Sequence, residues 1–122
     1  MSSPRSYQDL EVWTKSIEWV EQVYRASSEF PAEERYGLTS QVRRAAVSVA
    51  SNIAEGAARS GTGEYLQSLS VASGSLAETE TQLIIANRLG LLETPDLQRL
   101  LALATDISKM LGGLKRSLRS RL

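Results

Sequence analysis

The sequence contains neither cysteine nor histidine among its 122 residues. Without cysteine, disulfides and thiolate chemistry are excluded. Without histidine, the chain lacks the commonest general base, the commonest transition-metal ligand and the usual activator of a serine nucleophile. No nucleophile elbow, phosphate-binding loop or metal-ligand spacing is present either. We therefore expect a protein that is not an enzyme and that uses no cofactor and no metal.

Long apolar runs are also missing. No stretch approaches 18 uncharged apolar residues, the length that a membrane-spanning helix needs. The opening residues, "MSSPRSYQDLEVW", lack the apolar core of a secretory signal. We expect a cytoplasmic protein with no membrane partner.

Charge is balanced in number but not in position. The chain has 14 basic and 14 acidic side chains, yet residues 107–122 hold five basic residues and no acidic one. Residues 1–106 therefore carry an acidic excess. This distribution argues against a protein that coats nucleic acid in general, and it leaves one local contact with an anionic partner open.

Apolar residues recur at spacings of three and four along nearly the whole chain, and no alternating strand pattern competes with them. The pattern predicts one domain with helices at about 7–27, 38–59, 63–89 and 95–119. The short connections after the second and third helices favour antiparallel neighbours. We expect an all-α, up-down-up-down four-helix bundle.

Several details of the helices follow from the pattern. In the first helix, the stripe of Leu10, Trp13, Ile17, Val20 and Tyr24 is expected to face the core, while Trp19 lies beside it and is assigned to a contact between subunits.

Glycines and caps define the expected helix ends. One turn is predicted at 32–35. Thr62 and Thr94 are the predicted N-caps of the third and fourth helices. Gly61 is expected to adopt a left-handed cap and Gly90 to close the third helix. The adjacent Gly112 and Gly113 are expected to bend or fray the last turns of the fourth.

The second helix is unusual because small residues cover a second face. Beside an ordinary core face lie Ala46, Ala50 and Ala54, and a helix that is apolar over two faces normally has protein on both. The third helix repeats the feature around Gly74, a residue that costs about 1 kcal/mol relative to alanine inside a helix. We interpret both helices as packing against a neighbouring subunit of a homo-oligomer, and a conformational hinge at Gly74 is the alternative.

Asn52 and Glu55 stand on the polar stripe of the second helix. They fit a solvated surface, or hydrogen bonds to a neighbouring helix or subunit that fix register, as buried polar residues do in coiled coils. A third interpretation is a ligand or metal site shared with Glu78 or Glu80, although di-metal sites in bundles usually include histidine. With Glu78, these residues are our candidates for register in the oligomer.

Basic residues provide candidate contacts for nucleic acid. Phosphate binding requires such cations. The candidates are Arg43, Arg44, Arg59, Lys115, Arg116, Arg119 and Arg121. A solvated helix end explains the C-terminal group equally well, since cations there also favour the helix dipole. No aromatic residues interleave the cations, so stacking on unpaired bases is not indicated.

Three segments resemble one known family. They are "YQDLEVW", "FPAEERYGLTSQVRRAAVSVASNIAEG" and "EYLQSLSVASGSLAETETQL", which together span about residues 7–92. Their order and spacing resemble those of the four-helix bundle proteins, also called 23S ribosomal RNA intervening-sequence proteins. "SNIAEG" followed by "GSLAE" is the most specific part.

The resemblance implies a small antiparallel bundle that assembles as a homopentamer, with no attached activity. A more distant likeness is to the accessory variability protein of diversity-generating retroelements, a basic pentameric barrel that binds nucleic acid and a reverse transcriptase. The acidic excess of residues 1–106 differs from such a barrel. Two functions stay open: an oligomeric scaffold or adaptor that engages RNA or an RNA-handling partner, and a protein-only interaction module.

Overall fold

The computed structural model describes residues 6–122, and in this range the chain is all-α, with no strand. Its helices are α1 (Glu11–Ser27), α2 (Leu38–Ala58), α3 (Thr62–Arg88) and α4 (Thr94–Arg119). Two short 3₁₀ turns, Tyr7–Asp9 and Ala32–Glu34, precede α1 and α2. The expected turn after Pro31 is therefore confirmed.

One apolar core runs through the four helices and makes the protein a helical bundle. The apolar repeats that the spacing predicts for α3 and α4 supply it, because every member is buried except the half-buried Tyr65 and Leu114. These repeats are Tyr65, Leu69, Ala72, Leu76, Thr79, Leu83 and Ala86 on α3, and Leu97, Leu100, Ala104, Ile107, Leu111, Leu114 and Leu118 on α4. The predicted core face of α2 is likewise buried, apart from the half-buried Leu38, and consists of Leu38, Val42, Ala45, Val49 and Ile53. These helices bury their stripes because the 3.6-residue period places the stripe on one side.

The orientation of α1 differs from the prediction. Trp19 is fully buried and its Nε1–H donates to the Leu100 carbonyl oxygen at 3.2 Å, so its assignment to a subunit contact was wrong. The expected core stripe is instead the partly exposed one, with Trp13 half-buried and Tyr24 41% exposed.

Two serines interrupt the buried face of α1, so this face is less apolar in the sequence than the exposed one. Ser16 and Ser27 are buried, and their hydroxyls donate to the Val12 and Tyr24 carbonyl oxygens of the same helix. A serine whose hydroxyl is satisfied locally can lie in a core, which an apolar count does not register.

The first helix also begins later than predicted, at Glu11 rather than at Tyr7. The Ser6 hydroxyl accepts from the Gln8 amide and caps the 3₁₀ turn, and Leu10 is extended at φ −81° and ψ 126°. The extended residue separates the turn from the helix.

Other helix ends differ by smaller amounts. Gly90 has φ +80° and closes α3 as predicted, but Gly61 has φ −99° and does not form a left-handed cap. Thr62 and Thr94 are the first residues of their helices and not the N-caps, which are Gly61 and Glu93.

Gly112 and Gly113 do not interrupt the fourth helix. α4 continues through them to Arg119. The guanidinium of Arg116 lies over this pair, 3.5 Å from where a Cβ of Gly112 would be. The prediction of a bent or frayed end is not supported.

Each helix packs on its neighbours in the chain, and α4 also packs on α1, while α1 and α3 do not pack on each other. The most extensive contact is between α2 and α3. Gly56 lies in it: a Cβ there would be 2.8 Å from the Ser68 Cβ and 3.0 Å from the Tyr65 Cδ1. Only glycine allows these two helices to approach so closely.

Candidate functional site

An apolar groove lies between α1 and α2. It has a volume of about 350 Å³. Among residues 6–122, no charged side chain lines it. The lining residues are Tyr7, Trp13, Ile17, Val20, Val47, Ala50, Ser51 and Ala54.

The groove exists because the two helices contribute side chains of different size. From α1 come Trp13, Ile17 and Val20, the stripe that does not enter the core. From α2 come the small Ala50 and Ala54, which leave a trough beside the larger α1 residues. At the start of the chain, the Tyr7 ring packs edge-to-face on Trp13 with centroids 5.3 Å apart.

Branched apolar side chains are left in solvent at this groove. Ile17 is 37% and Val47 is 40% exposed. Contiguous exposed apolar surface of this kind marks interaction sites in soluble proteins. The arrangement can bind an apolar protein surface.

The alanines of α2 divide into two groups. Ala46 is fully buried in this chain and Ala50 nearly so, while Ala54 is half-buried. Packing within one chain therefore explains Ala46, and Ala50 and Ala54 form part of the groove wall. The sequence signal was the run of small residues, but the groove itself depends on how α1 is rotated.

Gly74 and Glu78 are both exposed on α3. Apart from its chain neighbours and the backbone of its own helix, no atom of residues 6–122 lies within 4 Å of an ideal Cβ at Gly74, so packing among these residues does not require glycine there. Glu78 is exposed and its Oε2 accepts from the Gln82 Nε2–H at 3.3 Å.

Asn52 belongs to a polar connection between α2 and α3. Its Nδ2–H₂ donates to the Ser48 carbonyl oxygen at 2.8 Å and to the Ser48 hydroxyl at 3.0 Å. The Ser48 and Ser75 hydroxyls are hydrogen-bonded at 2.8 Å. Glu55 is separate from this connection, exposed and 3.7 Å from the Arg59 guanidinium.

Sequence reasoning missed Gln82. It is buried on α3, and its Oε1 has no hydrogen-bond partner. Its Nε2–H donates to the Glu78 carboxylate. Glu78 lines a polar cleft of about 510 Å³ between α2 and α3, together with Arg44, Ser48 and Ser75. Gln82 lies beside the predicted core stripe of α3, next to Leu83, and the apolar pattern did not mark it.

The carboxylates do not converge on a metal-binding arrangement within residues 6–122. Glu80 stands apart, and its partial burial raises the pKa of its carboxyl. Burial also raises the pKa of Tyr65, and the nearby Arg121 opposes that effect.

Two of the seven candidate nucleic-acid contacts have partners inside the bundle. The Arg43 Nε–H donates to the Ser27 hydroxyl at 2.8 Å and its Nη2 donates to the Tyr24 carbonyl oxygen at 3.1 Å. Its guanidinium also lies 4.5 Å from the centroid of the Tyr24 ring. The Lys115 ammonium donates to the Ser73 hydroxyl at 2.7 Å.

The other cations are exposed. Arg59 directly follows α2, and Gly56, three residues earlier, packs beside Tyr65 of α3. Arg121 is close enough to the same Tyr65 to lower its pKa. Arg59 and Arg121 thus lie at the same end of the bundle, with Arg116 and Arg119 on the last turns of α4. Arg44 is separate and lines the polar cleft.

In the part of the chain that the structure covers, residues 6–122, none of the helices has both the length and the apolar character needed to cross a membrane. Residues 6–122 form a four-helix bundle with an apolar groove between α1 and α2. The chain belongs to the 23S rRNA-intervening sequence protein family, whose model matches residues 8–113.

A solved structure supports the fold. The chain is similar to a protein of unknown function from the S23 ribosomal protein family of Bacteroides thetaiotaomicron, with a TM-score of 0.80 and 21% identity. The similarity covers 86% of this chain and 95% of that one. No curated protein matches by sequence.

Proposed function

We propose that this protein is a non-catalytic scaffold that works as a homo-oligomer and assembles through the α1–α2 groove. The observation that carries the proposal is the groove itself, a trough that no charged side chain of residues 6–122 lines, with Ile17 37% and Val47 40% exposed. Burying such side chains stabilises an assembly by roughly 25 cal/mol per Å² of apolar area. The resemblance of the sequence to pentameric bundles favours five subunits.

We further propose that the helices of each subunit alternate in direction. Support comes from the residue pairs that join neighbouring helices. Trp19 of α1 donates to Leu100 of α4, and Gln22, further along α1, accepts from Arg99, which comes earlier in α4. Residue numbers therefore rise along α1 as they fall along α4. The pairs Ser48–Ser75 and Gly56–Ser68 show the same trend between α2 and α3.

A single substitution tests the groove. Val47→Glu places a charge on its exposed α2 wall without entering the core, whereas a charge at the nearly buried Ala50 would also disturb the fold. We expect light scattering to show an assembly for the wild type and a mass near 13.4 kDa for Val47→Glu. Thr105→Glu, a change of similar shape on the exposed side of α4, is the control and keeps the wild-type mass.

A partner for the scaffold is favoured by the basic end of the bundle. Arg59, Arg116, Arg119 and Arg121 are exposed there, and each subunit of an oligomer would contribute a set. Several weak phosphate contacts repeated on one assembly add through effective concentration. We propose that this end engages RNA or an RNA-handling partner.

Retention on ribosomal RNA at rising salt tests this second proposal. Binding should fall steeply with salt, and the double variant Arg119→Glu with Arg121→Glu should reduce both the affinity and the salt slope. Arg25→Glu, at the C-terminal end of α1, is the control. No binding even at low ionic strength would leave a protein-only interaction module as the function.

A further inference from the structure

We propose that the polar cleft between α2 and α3 binds a guanine nucleotide, either free or as an unpaired residue of an RNA strand. The cleft has a volume of about 510 Å³, within the roughly 300–1,000 Å³ of small-molecule sites. It shares no lining residue with the α1–α2 groove, and the arginines of the basic end do not line it. The site therefore goes beyond both contacts proposed above.

An aromatic ring and a cation lie together in this cleft. Tyr36, in the connection before α2, is 90% exposed, and Arg44 is exposed on the second turn of α2. Both line the cleft. The face of an exposed ring is a platform on which a base stacks, and a guanidinium binds phosphate oxygens. The fold thus places beside Arg44 the aromatic ring that a nucleotide requires.

A carboxylate lines the same cleft from α3 and is held from behind. Gln82 is only 6% exposed, and its Nε2–H donates to the Glu78 Oε2 at 3.3 Å. The Gln82 Oε1 is buried without a partner, which costs stability. What the amide achieves at this cost is to position Glu78. Neither Glu78 nor Arg44 belongs to an ion pair within residues 6–122, so both charges are available to a ligand.

The carboxylate selects the base. Guanine has two adjacent donors on its Watson–Crick edge, N1–H and the N2 amino group, and the two oxygens of a carboxylate accept from both. On the other bases each donor of this edge stands beside an acceptor, which a carboxylate repels. Because paired guanine uses the same edge, only a free nucleotide or an unpaired residue of RNA can reach Glu78.

Hydroxyls on the cleft wall complete the site. The Asn52 Nδ2–H₂ donates to the Ser48 hydroxyl at 3.0 Å, and the Ser48 and Ser75 hydroxyls are 2.8 Å apart. A chain that runs from Asn52 through Ser48 to Ser75 leaves the Ser75 proton for an acceptor in the cleft, such as a ribose or phosphate oxygen. Asn52 then acts as a positioning residue behind the two serines.

A nucleotide series tests the base. Isothermal titration calorimetry with guanosine, inosine and adenosine monophosphate should show the tightest binding for the guanine nucleotide. The inosine nucleotide lacks the amino group and should bind roughly tenfold more weakly, and the adenine nucleotide more weakly still. Equal affinity for the three nucleotides, or no binding of any, overturns the proposal.

Substitutions assign the roles. Glu78→Gln should remove the preference for guanine over adenine, and Arg44→Gln should make guanosine monophosphate bind no better than guanosine. Tyr36→Ala should weaken all three nucleotides about tenfold, whereas Tyr36→Phe retains the stacking face and should keep the affinity. Glu64→Gln, at an exposed carboxyl elsewhere on α3, is the control and should bind as the wild type does. A Glu78→Gln variant that keeps the guanine preference overturns the proposal.

Two RNA strands distinguish the sources of the nucleotide. Each is a five-residue uridine strand, with guanine or uracil at its centre. If the guanine strand binds at least as tightly as guanosine monophosphate and the uracil strand does not, the ligand is unpaired RNA. A guanine strand that binds more weakly than the mononucleotide identifies the free nucleotide.

A final variant separates this site from the basic end of the bundle. Arg119→Glu combined with Arg121→Glu should leave the affinity for guanosine monophosphate unchanged, because neither arginine lines the cleft. Loss of nucleotide binding in this double variant contradicts a site in the cleft. Loss of retention on ribosomal RNA with intact nucleotide binding supports two separate sites.

Discussion

Gly56 is the residue at which the fold tolerates the least change. It lies in the contact between α2 and α3, and even a methyl group would meet the Ser68 Cβ at 2.8 Å. The neighbouring atoms belong to a Cβ, a ring and a backbone carbonyl, so they cannot all move aside at low cost. The "SNIAEG" segment thus has a physical reason for its final residue.

We predict that Gly56→Ala lowers the free energy of unfolding by about 1–3 kcal/mol, the usual cost of overpacking. Urea denaturation followed by circular dichroism measures it. Gly63→Ala is the control, because a Cβ there meets nothing within 4 Å, and a gain of roughly 0.5 kcal/mol is expected. Equal effects of the two substitutions would contradict this account of the helix contact.

Glu80 makes stability depend on pH. Its folded-state pKa is raised above the ordinary value of 4.5 by burial, so the folded chain holds this proton more tightly than the unfolded chain does. Stability contributed by the protonated carboxyl is present at pH values below 4.5 and is lost as pH rises through the raised pKa.

We therefore predict that Glu80→Gln raises the melting temperature at pH 7 and flattens the decline in stability between pH 4.5 and the raised pKa. Thermal melts across pH 4–8 measure it. Glu64→Gln, at an exposed carboxyl on the same helix, should leave the decline as in the wild type. A steeper decline for Glu80→Gln would show that the sign is wrong.

Individual polar residues set the limit of what the sequence predicts. Ser16 and Ser27 are core residues because their hydroxyls bond to their own helix, and Arg43 is held by Ser27 and Tyr24. Such bonds depend on the rotation of α1 and on its distance from α2. Neither the rotation of α1 nor its distance from α2 can be derived from the spacing of residues in the sequence. The basic residues could therefore be proposed as nucleic-acid contacts, but the sequence did not show which of them form hydrogen bonds inside the bundle.

The helices differ in how clearly their core faces can be predicted. In α3 and α4 one apolar stripe is much stronger than any other, and the prediction there was confirmed. In α1 two apolar stripes compete, and the one interrupted by serines is the core. The α1 stripe that does not enter the core, with Trp13, Ile17 and Val20, forms one wall of the groove. The wrong prediction therefore concerns the surface that we propose as functional.

The two tryptophans of α1 report on these two faces. We predict that Trp19, fully buried, gives a blue-shifted emission that resists iodide, as measured in the Trp13→Phe variant. Trp13, in the Trp19→Phe variant, should be open to quenching at nanomolar protein and become protected as assembly proceeds.

Adding Val47→Glu to Trp19→Phe provides the control, since it should keep Trp13 accessible at every concentration. Protection of Trp13 that does not change with concentration or with Val47→Glu would show that the groove is not covered by assembly.

At the scale of the whole molecule, the sequence predicted more of the fold than of the function. The four helices and the family follow from periodicity and from motifs such as "SNIAEG". The groove could not be located in advance, because it arises where a rotated α1 meets the small residues of α2. The alanine stripe lies on the helix that forms one wall of the groove, although the chain itself covers part of the stripe.

The mass of the native protein tests the account most directly. Native mass spectrometry of the wild type, together with light scattering from nanomolar to high micromolar concentration, should show an integral multiple of 13.4 kDa, with five copies expected. The same measurement should show single chains for Val47→Glu. A wild type that stays at 13.4 kDa throughout would contradict the claim that the groove is a contact between copies.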